Sequence, residues 1–227
     1  STETFEKTGS VQFDGSGDYL SLASSSDFAF GTGDFTIEFW MLRFDTGNNV
    51  GLLDTRSTNT DANGWFVRFN SASTIQLVEN AAATQYATVT YNTSEWNHIA
   101  FVRNSSTITT FLNGISVSVY PGATKNFTSS NFLIVGFVDT QSSPYAYQGH
   151  ISNLRMLKGQ ALYTSNFKPP MRELEVVPGT VLLACQSKTD ASLEKTGKTI
   201  TVSGNAVANE LTPGILTPIV KSGGGSA

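Results

Sequence analysis

The chain has 227 residues, only 14% of them charged, and a formal net charge of −4. No cluster of Lys and Arg is placed to neutralise phosphates, which excludes a typical nucleic-acid binder. No apolar run approaches the ~18 residues of a spanning helix, so no membrane insertion is expected. A single cysteine, Cys185, excludes an intrachain disulfide, and the Val-Leu-Leu-Ala before it implies a buried, inert thiol. Ser1 fits removal of an initiator Met and synthesis without export.

Strand signals follow one another along the chain. In residues 35–42, Phe35, Ile37, Phe39 and Met41 fall on one side of a strand, and Thr36, Glu38 and Trp40 on the other. The same period-two alternation marks residues 65–69, 74–78, 88–91, 97–102, 107–112, 115–120, 131–135 and 150–157. Turn residues separate these runs at 70–73, at 104–106 and at Asn113-Gly114, a pair suited to the positive φ angles of a type I′ hairpin. Residues 163–170 read as an extended crossover broken by Pro169-Pro170, after which strands resume at 181–185 and 199–202. No window carries a helical stripe. The pattern predicts an all-β fold, a two-sheet antiparallel β-sandwich of jelly-roll type over residues 1–212. Residues 213–227 form an extended Gly/Ser-rich tail of linker composition.

Asp14-Gly-Ser-Gly-Asp18 has alternating acids but lacks the other ligands of a calcium loop, so it reads as a tight turn. The two longest loops, 54–64 and 139–147, are the better candidates for a site, because a stiff scaffold carries its binding residues on loops. Asp61 and Asn63 in the first and Asp139 and Gln141 in the second offer oxygen ligands. Calcium gathers six to eight such oxygens at about 2.3–2.6 Å, although Asp and Asn also stabilise turns through their own backbone. Tyr145 and Tyr147 flank Ala146 and either stack on sugar rings or cover the edge of the core.

Trp96 and His98 share a strand face, with no recognisable nucleophile or carboxylate partner for the His. His98 is therefore expected to be structural and hydrogen-bonded near a sheet edge, and Trp96 to lie in the core. Glu38 and Glu79 stand alone in their strands, whereas glycoside hydrolysis needs two carboxylates close together. No catalytic residue and no enzyme activity are expected. Asn92, Asn104 and Asn126 match the N-glycosylation pattern, which matters only in a secreted eukaryotic protein.

Five segments in order, Val11-Gln-Phe-Asp-Gly-Ser-Gly-Asp-Tyr-Leu20, Gly33-Asp-Phe-Thr-Ile-Glu-Phe-Trp40, Trp96-Asn-His-Ile-Ala-Phe-Val-Arg103, Phe111-Leu-Asn-Gly114 and Gly149-His-Ile-Ser-Asn-Leu-Arg155, resemble the laminin-G-like/concanavalin A-like jelly-roll superfamily. Residues 157–170 and 179–187 resemble the laminin-G-like modules of tailed-bacteriophage structural proteins, especially of marine phages. This resemblance implies a non-enzymatic virion surface protein, a tail fibre, adhesin or capsid decoration, that contacts host glycans or neighbouring virion proteins. Symmetry-related copies in a homo-oligomer would supply avidity to a shallow site. Its alternatives are a purely structural virion subunit, a glycan hydrolase, and a secreted adhesion or lectin domain. In pentraxins of the same superfamily, acidic and amide residues of two comparable loops bind calcium. Asp61, Asn63, Asp139 and Gln141 fall near those positions, without the run of consecutive acidic and amide residues in the second loop. No cofactor is required, with calcium as the one candidate.

Overall fold

The computed structural model describes residues 8–58, 60–79, 84–129, 131–137 and 146–213. Fifteen strands run through them. They begin with β1 (Ser10–Asp14), β2 (Tyr19–Leu22), β3 (Phe35–Arg43), β4 (Val50–Asp54) and β5 (Trp65–Ser71). Next come β6 (Thr74–Glu79), β7 (Thr84–Thr90), β8 (Asn97–Asn104), β9 (Thr107–Leu112) and β10 (Ile115–Pro121). The last are β11 (Leu133–Val135), β12 (Gln148–Lys158), β13 (Thr180–Ala184), β14 (Ile200–Ser203) and β15 (Val207–Asn209). The only helical element among the described residues is a 3-10 turn at Ser26–Phe28.

Antiparallel pairing sorts the strands into two sheets. One has eight strands in the order β10-β9-β8-β3-β12-β1-β15, with β13 also paired to β12. The other has seven, in the order β14-β2-β11-β4-β5-β6-β7. The apolar members of each alternating run meet between the sheets: Phe35, Ile37 and Phe39 of β3, Trp65, Val67 and Phe69 of β5, and Ile99 and Phe101 of β8. Each fully buried aromatic or aliphatic side chain of this kind contributes about 1.5–3 kcal/mol. The indole of Trp65 donates to the Phe28 carbonyl at 3.0 Å, so its N–H is not stranded in the core.

The sequence contains no alternation for β4. A register shift between Gly51 and Leu53 explains it, since Leu52 and Leu53 both turn inward and the period of two is lost. The Asn113-Gly114 turn forms as expected, with φ of 50° and 80°. Gly114 is fixed a second time by close approach, because an added Cβ would lie 1.9 Å from the Phe167 carbonyl oxygen.

That contact belongs to a strap, residues 159–177, laid across the outer face of the eight-stranded sheet. Tyr163 and Phe167 stack on one another at 3.6 Å and pack on Ala100, Val102 and Phe111. Main-chain bonds pin the strap: Phe167 N–H to Gly114 O, Leu162 N–H to Thr36 Oγ1, and Leu174 N–H to Asn153 Oδ1. For this reason every residue of β3 is buried, although its sequence alternates like a strand with one wet face.

Two expectations change here. Trp96 lies just before β8 and is half-buried, beside the ring of His150, so it anchors the strand's entry and not the core. His98 sits in the interior of its sheet, between β9 and β3, away from any edge. Asp139, Gln141, Tyr145 and residues 214–227 of the tail lie outside the described residues.

Candidate functional site

Chemistry on a β-sandwich can sit under the strap, at the rim, or on the remaining sheet face. Under the strap, Glu38, His98 and Arg155 come side by side from β3, β8 and β12. Arg155 Nε and Nη2 both donate to Glu38 Oε1, at 2.8 and 2.6 Å. His98 Nε2 lies 3.2 Å from Glu38 Oε2, and the Tyr163 hydroxyl donates to the same oxygen at 2.8 Å. The carboxylate partner that sequence reasoning missed for His98 stands 60 positions earlier and is supplied only by strand pairing.

Burial by itself would push the Glu38 carboxyl up. The hydrogen bond and charge of His98, then Arg155 and Tyr163, outweigh it and hold the group below the usual carboxylate range. With Glu38 ionised, His98 Nε2 carries the proton, and its buried Nδ1 has no hydrogen-bond partner. A carboxylate held this way, with 0% exposure, is a poor proton donor to a substrate. The cluster closes the sheet face: Glu38 and His98 are fully buried, and only Arg155 and the half-buried Tyr163 reach toward solvent.

At the rim, the described residues of the 55–64 loop, 55–58 and 60–64, are held by contacts of their own. Arg56 makes a bidentate pair with Asp54 at 2.8 Å and lies 3.7 Å over the Phe66 ring. Asp61 accepts from Ser57 N–H, Asn63 N–H and Asn131 Nδ2, each at 3.0 Å, with Ser57 Oγ at 3.3 Å. Burial raises the Asp61 carboxyl, but these donors overcome it and leave the group lowered. A carboxylate has about four acceptor sites, and Ser57, Asn63 and, from outside the loop, Asn131 occupy most of them. Calcium would have to displace those donors, so the described half of the candidate ligand set does not fit the ion. Among the described residues no three His, Cys, Asp or Glu gather into a metal site. Asn63 is exposed, with its carboxamide turned to no described partner.

Tyr147 is not available to stack on a sugar. It has 0% exposure, lies parallel to Phe69 at 5.6 Å, and donates its hydroxyl to the Leu42 carbonyl at 2.8 Å. Burial raises its pKa well above the ordinary phenol value. Of the two readings of Tyr147, the second holds: the ring sits beside Phe13 and covers the core. Asp14 and Asp18 make the expected tight turn, with Asp18 accepting from the Asp14 and Asn205 amides. Burial pushes the Cys185 thiol up to about 12, which leaves it unreactive.

The outer face of the seven-stranded sheet differs from both. Strand register lines up Thr201, Ser21, Ile134, Asp54, Phe66, Val78 and Gln85 across all seven strands. A neighbouring row holds Gly51, Arg68, Gln76 and Thr88. At one end Tyr19, Ser21, Phe132, Ile134 and Thr201 line an open depression of 380 Å³. At the other end polar side chains form a chain: Arg68 Nη1 donates to Asn49 Oδ1 at 3.3 Å and Nε to Gln76 Oε1 at 3.2 Å. Gln76 Nε2 donates on to Gln85 Oε1 and Thr88 Oγ1 at 2.8 and 3.0 Å. Arg68 is half-buried, and its pKa is lowered by burial and then by the nearby charge of Arg56. Asn49, Gln85 and Thr88 are exposed. Sequence reasoning placed function on the loops and passed over this row. The alternation in β5 already showed that Arg68 opposes Trp65, Val67 and Phe69.

Residues 14–162 match a family model described as the concanavalin A-like lectin/glucanases superfamily. A Bacteroides ovatus protein classed provisionally as carbohydrate binding is 14% identical with a TM-score of 0.68. The match covers 90% of this chain, which spans 60% of that protein's length. A heptameric SAP-like pentraxin from Limulus polyphemus is also 14% identical, with a TM-score of 0.58 over 86% of this chain and 94% of its own. The CBM40 of a Ruminococcus gnavus IT-sialidase, solved bound to alpha2,3 sialyllactose, is 14% identical at a TM-score of 0.51, over 68% of this chain and 91% of its own. These likenesses establish the shared fold. No curated protein sequence matches the chain.

Proposed function

Because the chain belongs to the concanavalin A-like lectin/glucanases superfamily, we propose that it binds carbohydrate without cleaving it. The contact surface is the outer face of the seven-stranded sheet, bordered by loop 55–64. The observation that carries this reading is the chain of side-chain amides, hydroxyl and guanidinium from Asn49 through Arg68 and Gln76 to Gln85 and Thr88. These groups hold one another in place and are partly open to solvent. Sugar hydroxyls are recognised by fixed donors and acceptors of this type. The solved relatives that are named for carbohydrate binding lend support. Glu38 is sealed under the strap, and no acid and base pair is needed for binding. No metal is required in this reading, since Asp61 already accepts from Ser57, Asn63 and Asn131. A glycan array probed with the native protein tests it: binding to a defined glycan class, weakened by Gln85→Ala and Thr88→Ala together, is expected. Silence across neutral and acidic glycans overturns it.

The setting we propose is the surface of a phage particle, supported by the resemblance of residues 157–170 and 179–187. One observation favours a second reading, a subunit that grips its neighbours. Edge strand β10 exposes Ile115, Val117 and Val119 and carries no charge, the form of an edge that pairs with another strand. Introducing Lys at Val117 and Val119 separates the readings: a gripping subunit dissociates, whereas a lectin keeps its glycan binding.

A further inference from the structure

Arg68 is the point on this face where charge is left unanswered. Its neighbour Arg56 is balanced by the bidentate Asp54. Arg68 itself meets only neutral acceptors, the side-chain oxygens of Gln76 and Asn49, and the Phe66 ring at 5.6 Å. Among the described residues no carboxylate pairs with it. A half-buried cation is ordinarily answered by an anion, because partial desolvation without one is unfavourable. Nε and one Nη1 hydrogen are committed to the protein, which leaves Nη2 and part of Nη1 aimed at no described acceptor. The fork is also oriented. Gln76 and Asn49 hold it from two sides, and Gly51, paired opposite in β4, adds no side chain to the row. A guanidinium so held binds two oxygens of one planar or tetrahedral anion.

We propose that Arg68 is the anion-recognising residue of the glycan site and that the ligand is an acidic sugar, bound through the oxygens of its carboxylate or sulfate group. This inference rests on the glycan-binding reading and narrows it to one ligand class. Exposed Gln85 and Thr88 on β7, two strands away across Gln76, would take hydroxyls of the same oligosaccharide. General attraction to polyanions does not account for such binding, since the protein carries a net charge of −4.

The test is affinity electrophoresis of the full chain in gels containing polygalacturonic acid, dextran sulfate or neutral dextran. Retardation by at least one of the polyanions and none by dextran is expected. Retardation by polygalacturonic acid alone identifies a carboxylate as the anion, and by dextran sulfate alone a sulfate ester. Arg68→Gln should weaken the effective interaction about tenfold or more, and Arg68→Lys should keep only part of it. Lys188→Gln removes an equal charge from an exposed, distant position and should change nothing. Unchanged circular dichroism shows that each variant is folded. Equal losses in Arg68→Gln and Lys188→Gln, or full retention in Arg68→Gln, overturn the assignment. Binding to neutral glycans without preference for acidic ones overturns only the acidic ligand. Absence of binding to every class overturns the glycan reading as well.

Discussion

The two outer faces of this sandwich are built from the same alternating strands and end in opposite states. On the eight-stranded sheet, a strap from the chain's own crossover covers the face, and every charge beneath it is matched: Glu38 by Arg155, His98 and Tyr163. On the seven-stranded sheet, no strap of this kind is formed by the described residues. The face is finished by side chains that bond one another, with Arg68 lacking a counter-charge. A buried cluster whose charges answer one another serves the fold, whereas a partly open one with an unmatched charge is available to a ligand. This contrast is the reason recognition is proposed for the second face.

The comparison makes graded predictions. Glu38→Ala strands Arg155 and His98 under the strap and should cost about 3–5 kcal/mol in urea unfolding, while glycan binding by the protein that remains folded is unchanged. The pH response belongs to the same residue. Its folded pKa lies below the ordinary value of 4.5, so its contribution is present above that value and is lost as pH falls through the folded pKa. Thermal unfolding of Glu38→Gln across acid pH should show a flatter decline than the wild type. Tyr163→Phe removes one hydrogen bond to the carboxylate and should cost about 1.5–3 kcal/mol. On the other face Arg68→Gln should alter stability by about 0.5 kcal/mol or less, because binding and not folding depends on it. Smallest of all, calcium or a chelator should move the melting temperature by about 1 °C or less, since Asp61 already accepts from Ser57, Asn63 and Asn131.

Much of the fold was legible from periodicity alone. The run at 35–42 announced β3, and Asn113-Gly114 announced the β9–β10 hairpin. What escaped was long-range or irregular. The bulge that turns Leu52 and Leu53 inward together erased the alternation of β4. Pairing of β3 with β8 joined Glu38 to His98 across 60 positions, which no local spacing encodes. The site was legible only in part. Loop composition drew attention to Asp61, whose carboxylate proves to brace its own loop, and to Tyr147, which faces the core. Arg68 was visible as the one cation on the polar side of its strand, but an unmatched charge can be recognised only once its neighbours in space are known.

Backbone NMR shifts recorded while an acidic oligosaccharide is added bear most directly on which face recognises ligand. Changes centred on Arg68, Gln85 and Thr88, with residues 159–177 silent, are predicted. Changes confined to Tyr163, Phe167 and their neighbours over the eight-stranded sheet would contradict the assignment.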